Sequence, residues 1–134
     1  MREPRFRAWI ERYKKYMPVA MIHFEPILGK IDYIEVVATG GDWAKFYPEE
    51  FILEQDTGLK DKNGKPIYEG DIVKFKWTKR LYVVTYRLYD ASFILENDDW
   101  EETIHLSLDK DDFEVVGNIH MNPELLEEKN ERER

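Results

Sequence analysis

Apolar and polar positions along this chain recur mostly at the two-residue period of strands that present one face to a core. Residues 6–9 are expected as a short strand, with Phe6 and Ala8 on one face and Arg5, Arg7 and Trp9 on the other. Residues 10–16 are ambiguous, because Trp9, Tyr13 and Tyr16 also fit helical spacing. Strands are expected over 19–24 and 31–37, around a turn at 26–30, and then over 43–46 and 51–54 after a Thr39-Gly40-Gly41-Asp42 turn. Further strands fall at 81–88, 92–95, 100–106 and 113–119, with reversals near Tyr89-Asp90 and at Asn97-Asp98-Asp99. Asn122-Pro123-Glu124 reads as a helix start: a cap, a proline in the first helical position, then an acid in the first turn. Residues 127–134 form a charged tail that is expected to fray.

Residues 57–73 are the most specific stretch. Asn63-Gly64 is a strong hairpin signal, since both residues tolerate positive φ, and Asp61 can accept a backbone hydrogen bond at its start. Pro66 cannot donate to a ladder, so it belongs at a strand start or an edge. A second tight turn is expected at Glu69-Gly70-Asp71. The run that follows sets Ile72, Lys74 and Lys76 against Val73, Phe75 and Trp77, giving one basic and one apolar strand face. Asn63, Gly64, Gly70 and Asp71 are therefore read as structural turn residues.

The chain resembles the YopX family of small proteins found in phages and prophages. The likeness rests on Met1-Arg-Glu-Pro-Arg-Phe-Arg-Ala-Trp9, on residues 57–73, on Phe113-Glu-Val-Val-Gly-Asn-Ile119 and on Asn122-Pro-Glu-Leu-Leu126. Residues 11–56 match only in general character. The resemblance implies a mainly β protein with an SH3-like small barrel in its C-terminal part. The expected organisation is an N-terminal β region over 1–56 packing on the barrel, the barrel itself over 57–121, and a short C-terminal helix with a charged tail over 122–134. The family carries no assigned molecular role, so the resemblance supplies no active site.

Composition narrows the functional classes. With 134 residues, a real core is within reach without staples, and the absence of cysteine excludes disulfides and cysteine-based metal sites. No apolar run approaches the ~20 residues of a membrane span, and no apolar segment follows the charged N-terminus as a secretory signal requires. A soluble protein of the bacterial host cytoplasm is expected. The net charge of −8 opposes generic nucleic-acid binding. Its distribution is uneven: residues 57–80 carry seven basic and three acidic side chains, residues 90–114 one and ten. Near one another, these blocks make an ordinary mixed surface; kept apart, they polarise the protein for self-association or for a charged partner.

Candidate chemistry is thin. An EF-hand loop placed on Gly64 would need its first ligand at Leu59 and its closing glutamate at Gly70, and both fail. Asp98, Asp99, Glu101 and Glu102, with Asp109, Asp111 and Asp112, read as solvated loop acids. His23, His105 and His120 lack partners at metal-ligand spacing, and Ser92 and Ser107 sit in no nucleophile elbow. No catalytic residue, metal site or cofactor is therefore expected, and the chain is read as no enzyme.

The best candidate interaction surface is Lys74, Lys76, Trp77, Lys79 and Arg80, where an aromatic ring stands among cations. The leading expectation is a non-enzymatic interaction module that self-associates and binds a host or phage protein through the barrel. One alternative is a nucleic-acid-associated barrel using residues 74–80. Another is an acidic inhibitor of a host DNA-binding protein, using residues 90–114.

Overall fold

The computed structural model describes residues 5–38, 40–88, 91–97, 100–105 and 110–126, with the backbone alone at 100–105. The chain divides into two compact units, 1–55 and 56–134. The expected 57–121 barrel and 122–134 tail both fall in the second. Strand β5 (Phe51–Lys60) passes through the division, so each half is described with its own unit.

In the first unit, β1 (Phe6–Ile10), β2 (Lys15–Phe24), β3 (Ile31–Val37), β4 (Trp43–Phe46) and the start of β5 form an antiparallel sheet in the order β4-β3-β2-β1-β5. Ala8, Ile10, Met17, Ile34, Val36 and Phe46 make its buried apolar cluster. β3 shows the expected alternation: Ile34 and Val36 are inside, and Tyr33, Glu35 and Val37 take the other face.

β1 departs from it. Ala8, Trp9 and Ile10 are all buried, so Trp9 does not lie on an outward face. Its indole packs edge-on to Tyr16 with ring centroids 5.1 Å apart, and its N–H donates to Glu11 Oε2 at 2.7 Å. Beside it, Arg7 Nε and the Tyr16 hydroxyl both donate to Glu54 Oε1, at 3.0 and 2.8 Å. The Arg7 guanidinium also lies 4.0 Å from the centre of the Tyr16 ring. Glu54 is only 4% exposed, and a carboxylate that deep requires such partners. The helical spacing of Trp9, Tyr13 and Tyr16 is not used. Residues 11–14 form a turn, with Lys14 at φ +54°.

The β2–β3 turn is organised by one carboxylate. Glu25 accepts the Ile27 amide at 3.1 Å and the Leu28 amide, while Glu25 N–H donates to Lys30 O at 2.8 Å. Desolvation pushes the Glu25 pKa up; the Leu28 and Ile27 amides outweigh it and hold the carboxyl below its usual value. The turn points Ile27 and Leu28 outward, 86% and 71% exposed.

In the second unit, the end of β5 pairs with β6 (Pro66–Tyr68). β7 (Asp71–Phe75), β8 (Leu81–Arg87), β9 (Ser92–Asn97) and β10 (Trp100–His105) form a meander, and β11 (Phe113–Asn118) returns beside β7. Ile67, Val73, Tyr82, Val84, Leu95 and Phe113 form its core. The sheet order is β10-β9-β8-β7-β11, so among the described residues β10 and β11 are opposite edges and the sheet does not close on itself. A mainly β fold of two antiparallel sheets is what the chain adopts.

The Asn63-Gly64 reversal is a three-residue loop. Asp61 N–H donates to Lys65 O at 2.9 Å, Gly64 N–H donates to Asp61 O at 3.0 Å, and Gly64 takes φ +80°. Asn63 keeps a negative φ, so only the glycine needs the left-handed region, as in a type I turn with a bulge. Gly70, at φ +84°, joins strands: its N–H donates to Val84 O at 2.8 Å and its carbonyl accepts Ile119 N–H at 3.0 Å. Asp71, 2% exposed, accepts the Tyr68 amide at 2.9 Å.

At the C-terminal end, Leu125 N–H bonds Asn122 O at 3.1 Å, giving a short helical turn. Asn122 Oδ1 turns back to accept the Asn118 amide at 3.2 Å instead of capping the helix. The charged tail over 127–134, the Tyr89-Asp90 reversal and the Asp98-Asp99 tip lie outside the described residues.

Candidate interaction groove

The expected basic strand face is only partly a strand. Ile72 and Val73 are both fully buried, so β7 is covered on both faces there, and it ends at Phe75. Lys76, Trp77, Thr78 and Lys79 form the reversal into β8, which Lys79 N–H closes on Phe75 O at 2.8 Å with φ +59° at Lys79. Thr78 Oγ1 braces it, accepting Arg80 N–H at 3.2 Å and the Tyr82 hydroxyl at 3.0 Å.

A second segment comes to meet this reversal. β11 pairs with β7 so that Glu114 faces Lys74 and Phe113 faces Phe75, their rings stacked at 5.2 Å. Just ahead of β11, Asp112 binds the reversal twice: its carbonyl accepts Lys76 N–H at 2.8 Å and its Oδ1 accepts the Trp77 indole N–H at 3.1 Å. The 61–65 loop supplies the third wall. Lys62 N–H donates to Phe113 O at 3.0 Å, and Lys62 Nζ pairs with Glu114 Oε2 at 3.1 Å.

Asp61 fixes that loop in place. Its Oδ1 accepts the Asn63 and Lys65 amides, and its Oδ2 accepts the Val115 amide of β11, each at 2.9 Å. Burial pushes the Asp61 pKa up; the three amides and the Lys65 charge outweigh it and hold the carboxyl below the usual aspartate range.

The result is a cleft of about 460 Å³ that includes Lys62, Lys74, Lys76 and Lys79, floored by Phe113 and edged by Asp111, Asp112 and Glu114. The Lys74 and Lys79 ammonium groups have no ion-pair partner among the described residues. Trp77 stands beside them, 69% exposed, with Lys76 Nζ 4.9 Å from its ring. Of the surface expected from the sequence, Lys74, Lys76 and Lys79 line the cleft and Trp77 is held next to it. Arg80 is half-buried and does not line the cleft. Asn63, Gly64, Gly70 and Asp71 shape the loops behind it.

Sequence reasoning missed Lys62, Asp112 and Phe113, because it takes the β7–β11 pairing and the docking of the 61–65 loop on β11 to bring them to the reversal. The dense acids were in view, and here Asp112 and Glu114 interleave with the lysines. The cleft can bind an anionic group that also offers apolar surface. His23 is elsewhere, stacked on Tyr33 at 4.7 Å and 3.4 Å from Asp32. The side chain of His105 lies outside the described residues.

No helix among the described residues is long and apolar enough to cross a membrane. No curated protein matches the chain. Among solved structures it is similar to the crystal structure of protein EF1440 from Enterococcus faecalis, with a TM-score of 0.63 and 28% identity over 94% of this chain and 99% of that one. That likeness runs through both units and carries no stated activity. The YopX protein family model matches residues 5–127, nearly the whole length, and the chain belongs to that family.

Proposed function

We propose that this is a non-enzymatic interaction module, encoded by a phage or prophage and acting in the host cytoplasm. In this reading it assembles with itself and engages a protein partner through the lysine-lined cleft of its second unit. The observation that carries the reading is the cleft itself, where Lys74 and Lys79, without an ion-pair partner among the described residues, stand beside exposed Trp77 over a Phe113 floor. Cations next to an aromatic anchor suit an acidic peptide segment with one apolar side chain. What supports an SH3-like assignment for this unit is its strand order, a four-stranded meander with the last strand returning beside the first.

The same lysines and Trp77 favour a second reading, single-stranded nucleic acid stacked on the indole. Asp111, Asp112 and Glu114 in the cleft oppose it, since a phosphate backbone meets them too.

Affinity purification of the tagged protein from infected cells tests both. A host or phage protein is expected, lost from a Lys74→Glu/Lys79→Glu variant that folds normally. Recovery of nucleic acid, with oligonucleotide binding at low salt, would favour the second reading. Recovery of neither would end both.

A further inference from the structure

We infer that the open edge of β4 is a twofold pairing surface, joining two copies of this chain through Trp43 and Lys45. The inference rests on the self-assembly part of the proposed function and gives that assembly a site and a register.

The edge strands β11 and β4 are treated differently. On β11 the 61–65 loop occupies the edge, since Lys62 N–H takes Phe113 O and Asp61 takes Val115 N–H. No described residue does this for β4, which ends its sheet with β3 on one side only. An uncovered strand edge is a template for another strand.

The direction of its backbone groups follows from the adjoining turn. Ala38 N–H donates to Asp42 O at 2.7 Å, and β3–β4 pairing continues as Val37↔Trp43, Val36↔Ala44, Glu35↔Lys45 and Ile34↔Phe46. Hydrogen-bonded and non-bonded pairs alternate along an antiparallel ladder. The groups of Ala44 and Phe46 therefore point back to β3, and those of Trp43 and Lys45 point out of the sheet.

Parity then selects the register. Opposed residues share a face, so the twofold axis must pass through a residue and not between two. An axis at Lys45 sets two ammonium groups against each other. An axis at Trp43 runs into the Gly40-Gly41 turn. An axis at Ala44 places each Trp43 opposite Lys45 of the second copy, giving about four backbone hydrogen bonds. Side chains agree with this choice: Trp43 is 61% exposed, and Lys45 Nζ lies 4.2 Å from the Tyr33 ring centre, on the face it shares with Trp43.

The natural chain has no cysteine, so one introduced thiol reports the register cleanly. In the Ala44-centred pairing the two Ala44 Cα atoms are ~4.5 Å apart, within disulfide range. Ala44→Cys at tens of micromolar is expected to give a covalent dimer under mild oxidation, and Trp43→Cys is not. Lys45→Pro, which removes an outward N–H and no hydrogen bond to β3, is expected to halve the mass seen by light scattering, with Lys45→Ala, which keeps that N–H, as its side-chain control. In the unmodified protein, the Trp43 and Lys45 amides should gain exchange protection as concentration rises. A monomeric wild type at ~100 µM overturns this pairing and the self-assembly reading together. A dimeric wild type in which Ala44→Cys stays uncrosslinked and both amides exchange freely overturns the β4 interface alone. Equal crosslinking of Trp43→Cys overturns the register.

Discussion

Two turns of this protein are built by the same local device and serve it differently. At 25–30 and at 61–65 an acidic side chain accepts backbone amides of its own loop, and in both cases this lowers the pKa of the acid. Among the described residues Glu25 bonds within its own turn, and it leaves Ile27 and Leu28 in solvent. Asp61 is 1% exposed and bonds beyond its turn, to Val115 on a strand distant in sequence. A carboxylate that closes its own loop shapes the surface; one that also reaches another strand secures the tertiary structure. Stability should follow that distinction and not the number of local bonds.

The largest effect is expected at Asp61. Asp61→Ala strands the Asn63, Lys65 and Val115 amides, and hydrogen bonds to a charged acceptor are worth ~1.5–3 kcal/mol each. A loss of ~3–5 kcal/mol is expected in denaturant titration. A loss below ~1 kcal/mol would dissolve the contrast.

Next come the glycines. Gly64→Val and Gly70→Val place a β-branched residue at φ +80° and +84°, with an expected cost of ~1–3 kcal/mol each in the same titration. Unchanged midpoints would show that neither loop depends on a left-handed residue.

Acid titration sharpens the comparison further. A carboxyl whose folded pKa is depressed adds stability that is present in full above its unfolded value and is lost as pH falls through the folded one. For Asp61 that window opens below about pH 4. Asp61→Asn should flatten the fall of unfolding free energy there, relative to the native chain, and parallel curves would contradict the assignment.

The smallest effect is at the exposed turn. Glu25→Gln should leave the unfolding midpoint nearly unmoved while the Ile27 and Leu28 amides exchange faster. Slow exchange in that variant would mean that something other than the carboxylate organises the turn.

Much of the strand map was legible because β-branched and aromatic runs are punctuated by glycine, as at Ile31–Val37 before Gly40-Gly41 and Asp71–Phe75 after Gly70. Periodicity failed where both faces of a strand are covered: Ala8 with Trp9, and Ile72 with Val73, are buried neighbours that alternation would separate. It also carried β7 too far, placing Trp77 on a strand when it belongs to the reversal. The lysines of the cleft could be read from local composition. Their acidic and aromatic surroundings could not, since Lys62, Asp112 and Phe113 meet them through a pairing of distant strands that no local pattern encodes.

The link from Asp61 to Val115, 54 residues apart, has a consequence for synthesis. A ribosome that has released the 61–65 loop has yet to make β11, so the carboxylate waits in water while the nascent chain lengthens. Contacts this remote are slow to form. A chain cut short before Phe113 would strand the β7 edge and leave Asp61 only its own loop to clasp, marking the fragment for aggregation or proteolysis.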